Sequence, residues 1–508
     1  MGARRVGRIG TRRDGRPAPA PAPSPSVTSY ARAVSTDTGP DTTSERMTPG
    51  EARPADTLGL EPDEMRRLGY WVVDRVVDHF EGAPAHPALS TGAPDALASA
   101  LGGPPPEEPG DALSAMCTLV DVALCNMQHG DHPRFFARVP GPSSFGAVLG
   151  EWLATGFNSM AASWAGGSGP TAVELVVVDW LRSLLGMPDG TEGVLTSGGS
   201  MANTTGLVAA RRATGPGIAY LSDQTHASIR RGLLSIGVPP EDIRIVGTDA
   251  RYRMPVDAVA EEVRRDRRKG RRPAIVVATA GTTNTGAVDP LRELAALCGA
   301  EGLWLHVDGA YGAPAALCER GRAALAGMEL ADSLVLDPHK WLFQPYDVGS
   351  LLVRRPGALE AAFRMAPEYL VDVTARHGEV DMRDRTLELS RRARAVKVWL
   401  TFRTYGVGRI RAAIERGIEL AEHAERVLRA DDRWEVVTPA QLGVVTFART
   451  GEGSEECRTA AARVTREGFA AVTSTTLRGT SVLRLCTINP RTTEGDIEST
   501  IERLAGPA

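Results

Sequence analysis

A lysine stands at an unusual place in the stretch DPHKWLFQPYDVG, residues 337–349. Lys340 lies between His339 and Trp341 and follows the apolar run SLVL, residues 333–336, which is typical of a buried strand. Most lysines keep their ammonium group in water. A lysine that is partly withdrawn from water beside a cationic ring is easier to deprotonate, and its neutral amine can form an imine with a carbonyl group. Lys340 is therefore a candidate for covalent catalysis.

Two other predicted strands are followed by residues that suit an anion. The run GVLTS, residues 193–197, precedes Gly198, Gly199 and Ser200, and a helical pattern begins there. Glycines let the backbone approach a ligand, and a helix N-terminus presents free N–H groups. The sequence matches neither a Walker loop nor G-x-G-x-x-G. Thr279 follows the run AIVVA in a similar way, and an ordinary turn is the alternative at both places.

An aspartate and a histidine follow two more runs. Asp308 ends the run LWLHV, and a buried carboxylate needs a partner or a cation. Together with His306 it could be a metal pair, but no further carboxylate lies nearby, so metal binding is the weaker interpretation. His226 follows the run GIAYL, and a lone histidine is more often structural than functional.

Taken together, these residues match the needs of one cofactor, pyridoxal 5′-phosphate (PLP). PLP needs a lysine for an imine with its aldehyde, a carboxylate that keeps its pyridine nitrogen protonated, and an anion site for its phosphate. Lys340, Asp308 and the turn at Gly199 supply these three groups in turn. The sequence therefore predicts PLP bound covalently to Lys340.

The elements that position these residues are predicted to form one sheet. Seven β-rich runs alternate with helical stretches, at 193–197, 217–221, 242–246, 274–278, 303–307, 333–337 and 349–353. Most runs are continuously apolar, as expected of strands that helices cover on both faces. The alternation predicts a mostly parallel, doubly wound α/β sheet, whose ligands bind beyond the carboxyl ends of the strands. The last two runs are too close for a helical crossover, so one pair is expected to be antiparallel.

The remaining parts of the chain differ from this central region. Residues 1–55 are basic and rich in Pro and Ala, which predicts a disordered tail. Residues 56–142 are predicted to be an N-terminal helical segment, and residues 143–396 to be the large, PLP-binding domain. Residues 397–508 contain a long charged helix, two apolar runs and a closing helix, which predicts a small α+β domain.

Composition excludes several classes of partner. The formal net charge of the 508-residue chain is −4, so nothing points to nucleic acid. The six cysteines contain no C-x-x-C pair and are typical of reduced core thiols. No apolar run approaches the ~20 residues that cross a bilayer. We therefore expect a cytoplasmic protein without a membrane, nucleic-acid or metal partner.

The motifs resemble those of the group II PLP-dependent amino acid decarboxylases, which include the aromatic-L-amino-acid, histidine and glutamate decarboxylases. The stretches that carry the resemblance are HPRFFARVPGP (132–142), TSGGSMAN (196–203), SDQTHAS (222–228), HVDGAYG (306–312), DPHKW (337–341) and RARAVKVWLTFRTYG (392–406). The resemblance covers residues 56–508 and implies fold type I of the PLP-dependent transferases, with a seven-stranded sheet. It also implies a homodimer with active sites at the interface, in which residues 56–142 contact the partner.

The resemblance also implies roles for individual residues. Lys340 resembles the family's imine-forming lysine, Asp308 the partner of the pyridine nitrogen, and His226 the histidine that stacks on the ring and helps to orient the substrate carboxylate. The other positions that match cofactor or substrate contacts are Gly199, Ser200, Thr279, Ala310, Asp337 and His339 for the cofactor, and Pro140 for the substrate. Asp337 departs from relatives that carry Asn, and a carboxylate close to the phosphate would repel it.

The family also has a mobile loop that closes over the partner's site, here residues 368–385. Family decarboxylases usually carry a tyrosine in this loop, which gives a proton to Cα after CO₂ leaves. In this sequence Met382 aligns with that position, and the nearby tyrosine is Tyr369, at the start of the loop. In relatives that lack the tyrosine, oxygen can divert the reaction to an aldehyde.

We therefore expect decarboxylation of an L-amino acid to an amine and CO₂. Met382 keeps oxidative deamination to an aldehyde as one alternative, and a PLP-binding protein without catalysis is another. Arg138, in FFARVP, would favour an acidic or polar substrate side chain, although a surface arginine is the simpler interpretation. Overall resemblance slightly favours an aromatic substrate.

Overall fold

A computed structural model of the chain describes residues 58–365, 376, 378–451 and 453–506. The predicted tail, residues 1–55, and Tyr369 lie outside this described part. The chain divides into two compact units, residues 1–64 and residues 65–508, and both sheets belong to the second. None of the described helices combines the length and the apolar character that a membrane span requires.

The described strands form two sheets. They are β1 Glu192–Thr196, β2 Ile218–Ser222, β3 Ile243–Val246, β4 Pro273–Thr279, β5 Trp304–Asp308, β6 Ser333–Leu336, β7 Gly349–Val353, β8 Trp434–Gln441, β9 Val444–Arg449, β10 Thr473–Leu477 and β11 Thr480–Cys486. The α-helices are α1 Pro62–Gly82, α2 Pro94–Leu101, α3 Ala112–Thr118, α4 Phe145–Gly156, α5 Trp164–Leu184, α6 Gly199–Thr214, α7 Ala227–Ser235, α8 Val256–Arg268, α9 Leu291–Glu301, α10 Glu319–Ala324, α11 Pro338–Trp341, α12 Ala358–Phe363, α13 Ala395–Arg429, α14 Ser454–Arg466 and α15 Glu494–Ala505.

The large sheet has seven strands in the order β1-β7-β6-β5-β4-β2-β3. Strands β2 to β6 pair with one another in parallel, whereas β7 is antiparallel to both β1 and β6. The prediction of a mostly parallel seven-stranded α/β sheet is confirmed. The expectation of one antiparallel pair was incomplete, since β7 follows β6 without a crossover helix and also lies beside β1.

Helices cover the sheet on both faces, as the continuous apolar runs predicted. Side chains alternate between the two faces along a strand. In β4, Val276 and Ala278 belong to one buried hydrophobic cluster, whereas Ile275 and Val277 belong to the other. The first cluster includes side chains of α5, α8 and α9, and the second includes side chains of α6 and α7. Polar side chains therefore lie at the ends of the strands rather than on the two faces of the sheet.

The small domain is an antiparallel sheet with its own core. Its strand order is β10-β11-β9-β8, and Phe447 and Leu485 pack with Val464 of α14 and Ile501 of α15. This α+β arrangement agrees with the pattern in the sequence. Helix α13 begins at Ala395, so the predicted domain boundary at residue 396 falls within its first turn.

The segment predicted as a mobile loop, residues 368–385, is described only in part. Residues 366–375 and 377 lie outside the described part of the chain, and Asp381, Met382 and Arg383 are buried. Met382 opens a 3₁₀ turn, Met382–Arg385, and packs in the same hydrophobic cluster as Val194 of β1. The mobility of the loop stays a prediction, and in this structure the residues near its C-terminal end are packed.

Candidate active site

The carboxyl ends of five strands surround a cavity of about 350 Å³. All nine residues predicted to hold the cofactor line it: Gly199, Ser200, His226, Thr279, Asp308, Ala310, Asp337, His339 and Lys340. Four larger clefts, of about 710, 550, 410 and 400 Å³, lie elsewhere and contain none of these residues. The chemistry of the walls, rather than size, therefore identifies this cavity as the candidate site.

Lys340 is held by an aspartate three residues before it. The single helical turn α11 brings its Nζ to 2.9 Å from Oδ2 of Asp337, and the lysine side chain is 24% exposed. Burial lowers the pKa of Lys340, but the charge and hydrogen bond of Asp337, followed by the charge of Asp308, outweigh burial and raise it. In the chain by itself, Asp337 therefore stabilises the ammonium form of Lys340, and easier deprotonation beside the cofactor's cationic ring stays a prediction.

The contact with Lys340 defines the surroundings of Asp337. Its carboxylate is 2% exposed and its Oδ1 has no hydrogen-bond partner among the described residues. A carboxylate paired with an ammonium carries less net charge towards a neighbouring phosphate. The predicted contact of Asp337 with the cofactor stays a prediction.

Asp308 ends β5 and is fixed by neutral donors. Its Oδ2 accepts a hydrogen bond from Nδ2 of Asn203 at 3.1 Å, and its Oδ1 accepts one from the backbone N–H of Ala310 at 3.1 Å. The carboxylate is 5% exposed and lines the cavity. Because both partners are neutral, the arrangement leaves a buried negative charge that suits a protonated ring nitrogen.

A chain of hydrogen bonds connects Trp304 to Asn203, the side chain that donates to Asp308. Trp304 Nε1 donates to Ser333 Oγ at 2.8 Å, and Ser333 Oγ lies 2.7 Å from His306 Nδ1. His306 Nε2 lies 3.0 Å from Asn203 Oδ1, so the neutral imidazole accepts at Nδ1 and donates at Nε2. Burial lowers the pKa of His306 to about 4, which keeps this ring neutral.

The same network occupies the nitrogens that a metal at His306 and Asp308 would need. Both ring nitrogens of His306 are engaged by side chains, so neither is free to bind a metal. Within the described ranges, no group of three His, Cys, Asp or Glu side chains could hold a metal ion.

His226 caps helix α7 and faces the cavity. Its Nδ1 accepts a hydrogen bond from the backbone N–H of Ser228 at 3.2 Å and lies 2.8 Å from Ser228 Oγ, which in turn accepts from Asn203. With Nδ1 used as an acceptor, the neutral ring carries its hydrogen on Nε2. The histidine is therefore oriented by its role as a helix cap and by the network that holds Asp308.

The glycine turn before α6 is shaped by its neighbours. Gly198 has φ 123°, which favours glycine, and a Cβ at Gly199 would lie 2.6 Å from Asp337 Oδ2 and 3.2 Å from Ala310 Cβ. Across the cavity, Thr279 Oγ1 is buried and has no hydrogen-bond partner within the described residues. A glycine-lined helix N-terminus opposite an unpaired hydroxyl fits the phosphate of PLP.

Two predicted substrate-side residues lie outside the cavity wall. Pro140 is buried beside Gly141, where a Cβ would lie 2.9 Å from the carbonyl oxygen of His339. Arg138 is exposed and its Nη1 donates to Gln128 Oε1 at 3.0 Å, as a surface arginine would. The structure brings the other predicted residues together and leaves these two at its border.

Three residues of the site were not singled out by sequence reasoning. Asn203 and Ser228 connect Asp308 to His226, and Tyr346 packs its ring 4.7 Å from that of His339. Asn203 lies four residues after Gly199, so both face the same side of α6, and this spacing could have revealed it. Ser228 and Tyr346 gave no comparable signal.

The sheet and the site together define a PLP-dependent enzyme of fold type I. Residues 104–450 match the pyridoxal-dependent decarboxylase conserved domain. The chain is 45% identical over 452 residues to an aromatic-L-amino-acid decarboxylase of Bacillus atrophaeus, which covers 86% of this chain and 94% of the relative. It is 32% identical over 406 residues to a phenylacetaldehyde synthase of Petunia hybrida, covering 76% and 80% of the two chains.

Solved structures agree with these relatives. The crystal structure of Oryza sativa TDC with PLP and tryptamine superposes with a TM-score of 0.84 at 30% identity, covering 88% of this chain and 97% of the other. The chain therefore belongs to the family of pyridoxal-dependent decarboxylases. It is a PLP-dependent carboxy-lyase that releases CO₂ from an L-amino acid.

Proposed function

We propose that this enzyme decarboxylates aromatic L-amino acids to the corresponding amines. The observation that carries the reaction is the convergence of Lys340, Asp308 and His226 on one cavity. The aromatic substrate class is supported by the relative that is 45% identical and named an aromatic-L-amino-acid decarboxylase. The roles of the individual residues below belong to this proposal.

The bound cofactor supplies an aldehyde that reacts with amino groups and a protonated ring that withdraws electrons from Cα. Lys340 presents its Nζ at the cavity wall, where it would hold the cofactor. Asp308 would keep a proton on the ring nitrogen, because its own partners are neutral donors. Ser200 and Thr279 line the cavity and would hold the phosphate.

Orientation decides which bond to Cα is broken. His226 has Nδ1 occupied by Ser228, so its Nε2 hydrogen is directed to a group within the cavity. A carboxylate of the substrate that accepts this hydrogen is held in one position. His226 thereby selects loss of CO₂ over loss of a proton from the same carbon.

Oxidative deamination to an aldehyde is the second candidate. It is motivated by Met382 in place of a loop tyrosine, and Met382 is fully buried in the hydrophobic cluster beside β1. A methionine there supplies no proton to Cα, so this motive remains. The relative from Petunia hybrida is named an aldehyde synthase, so both products are measured in the experiment below.

The test is a substrate panel with the PLP-loaded enzyme. Phenylalanine, tyrosine, tryptophan, histidine, glutamate, ornithine and diaminobutyrate are each incubated, and CO₂, amine, aldehyde and hydrogen peroxide are measured. We expect CO₂ and amine in equal amounts from the aromatic substrates. Turnover of glutamate alone, or aldehyde with peroxide in place of amine, would contradict the proposal.

We further propose a homodimer whose N-terminal segment contacts the partner. Large apolar side chains are exposed in this segment, at Leu119 and Leu124, and at the end of the following helix α4, at Leu153 and Phe157, with exposed fractions of 51–82%. Such a patch is typical of a protein interface. Sedimentation should give twice the chain mass of 54.0 kDa, and Phe157→Glu should shift the enzyme towards a monomer. A monomeric wild-type enzyme with full activity would refute this assembly.

We place the enzyme in the cytoplasm. Cys298, Cys318, Cys457 and Cys486 are buried free thiols, which suits a reducing compartment. Fractionation of the source cells, with activity measured in each fraction, tests this location, and activity confined to an external fraction would contradict it.

A further inference from the structure

The segment of residues 342–348 forms part of the border of the active site. It connects α11, which carries Lys340, to strand β7. Tyr346, in the middle of the segment, is 53% exposed and packs its ring 4.7 Å from that of His339. A Cβ at Gly141 would lie 2.5 Å from Tyr346 Oη, so the phenol also approaches the chain next to Pro140. The exposed side chain of Tyr346 therefore has a defined position, although the segment is irregular.

A buried lysine fixes the backbone on both sides of Tyr346. Lys397 is 1% exposed, and its Nζ donates to the carbonyl oxygens of Pro345 at 2.9 Å and Asp347 at 3.1 Å. The same Nζ lies 2.9 Å from Oε2 of Glu151. Lys397 is one of three lysines in the whole sequence. Burying an ammonium group costs folding free energy unless it is paired. Even with Glu151 as its partner, Lys397 holds the backbone around Tyr346 at such a cost.

One face of helix α13 makes the other contacts with the segment. Arg394, Lys397 and Thr401 are spaced three and four residues apart, which places them on the same side of the helix. Arg394 Nε lies 3.3 Å from Asp347 Oδ1, and Thr401 Oγ1 accepts a hydrogen bond from Gln344 Nε2 at 3.0 Å. The first two turns of α13 thus bind the segment at three points.

Helix α4 approaches this face closely enough to bring in Glu151. A Cβ at Gly150 would lie 2.6 Å from Cα of Lys397, so a larger residue there would push the helices apart. The glycine allows Glu151, the next residue, to reach the lysine. Close packing and the buried ion pair therefore depend on each other.

The C-terminal end of the segment contacts a residue of the cavity wall. The backbone N–H of Val348 donates to Nδ1 of His339 at 3.1 Å, and His339 Nε2 lies 3.5 Å from Asp337 Oδ2. Asp337 in turn pairs with Lys340. Contacts thus run without a gap from the buried lysine of α13 to the lysine of the active site.

We propose that Lys397, paired with Glu151, is a positioning residue of the active site that acts by holding Tyr346 against His339. Lys397 is outside the cavity and does not touch the reacting groups. Its effect on turnover passes through residues 345–347. This inference depends on decarboxylation by the family's chemistry and is independent of the substrate class proposed above.

A double-mutant cycle with the PLP-loaded enzyme tests the proposal. Lys397→Met keeps the length of the side chain and removes its charge, and Tyr346→Ala removes the group that is positioned. We expect each change to lower kcat/KM by about 10- to 100-fold, because small displacements in an active site cost that much. The double variant should be no slower than the slower single variant, since both changes remove the same arrangement.

Controls separate positioning from a loss of stability. Arg429→Met removes a partly exposed charge that pairs with Glu425 on the same helix, and it should leave kcat/KM unchanged. PLP content, read from the visible absorption of the bound cofactor, should stay at the wild-type level in every variant. Losses of kcat/KM that multiply in the double variant, or wild-type kcat/KM in Lys397→Met, would overturn the proposal.

A second variant covers the case in which Lys397→Met fails to fold. Glu151→Gln retains a hydrogen-bonding group of the same size and removes the negative charge. When Glu151→Gln is combined with Tyr346→Ala, the double variant should again have a kcat/KM no lower than that of the slower single variant. The substrate is the one that the panel identifies. If no substrate of any class is turned over by the wild type, the proposed function fails first and the cycle is not reached. If wild type is active and Glu151→Gln is unchanged, the positioning role alone fails.

Discussion

At the scale of single residues, the two aspartates of the site differ in the charge of their partners. Asp308 is held by the neutral donors Asn203 and Ala310, whereas Asp337 lies 2.9 Å from the ammonium group of Lys340. The first carboxylate therefore keeps its attraction for a cation of the cofactor, and the second stabilises the charged lysine. Two similar side chains at neighbouring strand ends gain different properties from their partners.

The charge of Asp308 can be tested by an isosteric change. In Asp308→Asn the amide no longer stabilises a proton on the ring nitrogen, so kcat should fall by about 10²- to 10³-fold. Steady-state decarboxylation measures this loss, with Asp308→Glu as the variant that keeps the charge. An Asn variant with wild-type kcat would show that ring protonation at this position is not needed.

The buried His306 makes stability depend on pH. Burial lowers its pKa from 6.5 to about 4, so between these values the unfolded chain binds a proton that the folded chain does not. The free energy of unfolding should therefore fall as the pH drops through this window, by up to about 3 kcal/mol from one group, and become level below it.

Denaturant unfolding between pH 7 and pH 4 tests this dependence. His306→Gln cannot titrate, so its unfolding free energy should fall less steeply with decreasing pH than that of the wild type. Asp289, whose pKa burial raises to about 6, titrates in both proteins and cancels from the comparison. Equal slopes in the two proteins would show that His306 does not make this contribution.

At the scale of elements, the start of helix α6 depends on the absence of a side chain. A Cβ at Gly199 would lie 2.6 Å from Asp337 Oδ2, inside the space that the anion site needs. Gly199→Ala should weaken PLP binding by about tenfold or more, which corresponds to about 1.4 kcal/mol. Fluorescence titration of the apoenzyme with PLP measures this change.

A glycine of α9 provides the matched control. Gly299 lies inside a helix and has no atom within 4 Å of the position that a Cβ would take. Gly299→Ala should leave PLP binding unchanged, since alanine favours a helix and meets nothing there. If Gly199→Ala bound PLP as tightly as this control, the turn at Gly199 would not be the phosphate site.

The sequence predicted those parts of the site that depend on local pattern. Apolar runs located the strands, and the residues after them, from Gly199 to Lys340, lie around one cavity. The pairing of Asp337 with Lys340 follows from their spacing within one helical turn and could have been foreseen. The contacts of Tyr346 and Lys397 could not, because Lys397 meets Glu151 only through packing of helices 246 residues apart in the chain.

The burial of Met382 could not be predicted from the sequence. It belongs to a polar stretch, yet 0% of its side chain is exposed in the structure. Hydrophobic packing beside β1, which depends on tertiary contacts, buries it.

At the scale of the whole molecule, the small domain contacts the residues that pack next to Lys340. Trp341, the residue after Lys340, stacks on Tyr311 with ring centroids 5.3 Å apart. Tyr311 Oη accepts a hydrogen bond of 2.7 Å from the backbone N–H of Gly443, which belongs to the small domain. The position of Lys340 therefore depends on how both domains pack.

Three lysines in the whole chain make the central claim simple to test. Lys269 is exposed, Lys397 is buried against Glu151, and Lys340 lines the cavity. Borohydride reduction of the PLP-loaded enzyme, followed by digestion and mass spectrometry, identifies the lysine that carries the pyridoxyl group. We predict the label on the peptide with Lys340, and no label in Lys340→Ala. A label on Lys269 or Lys397, or on none of the three, would contradict the account.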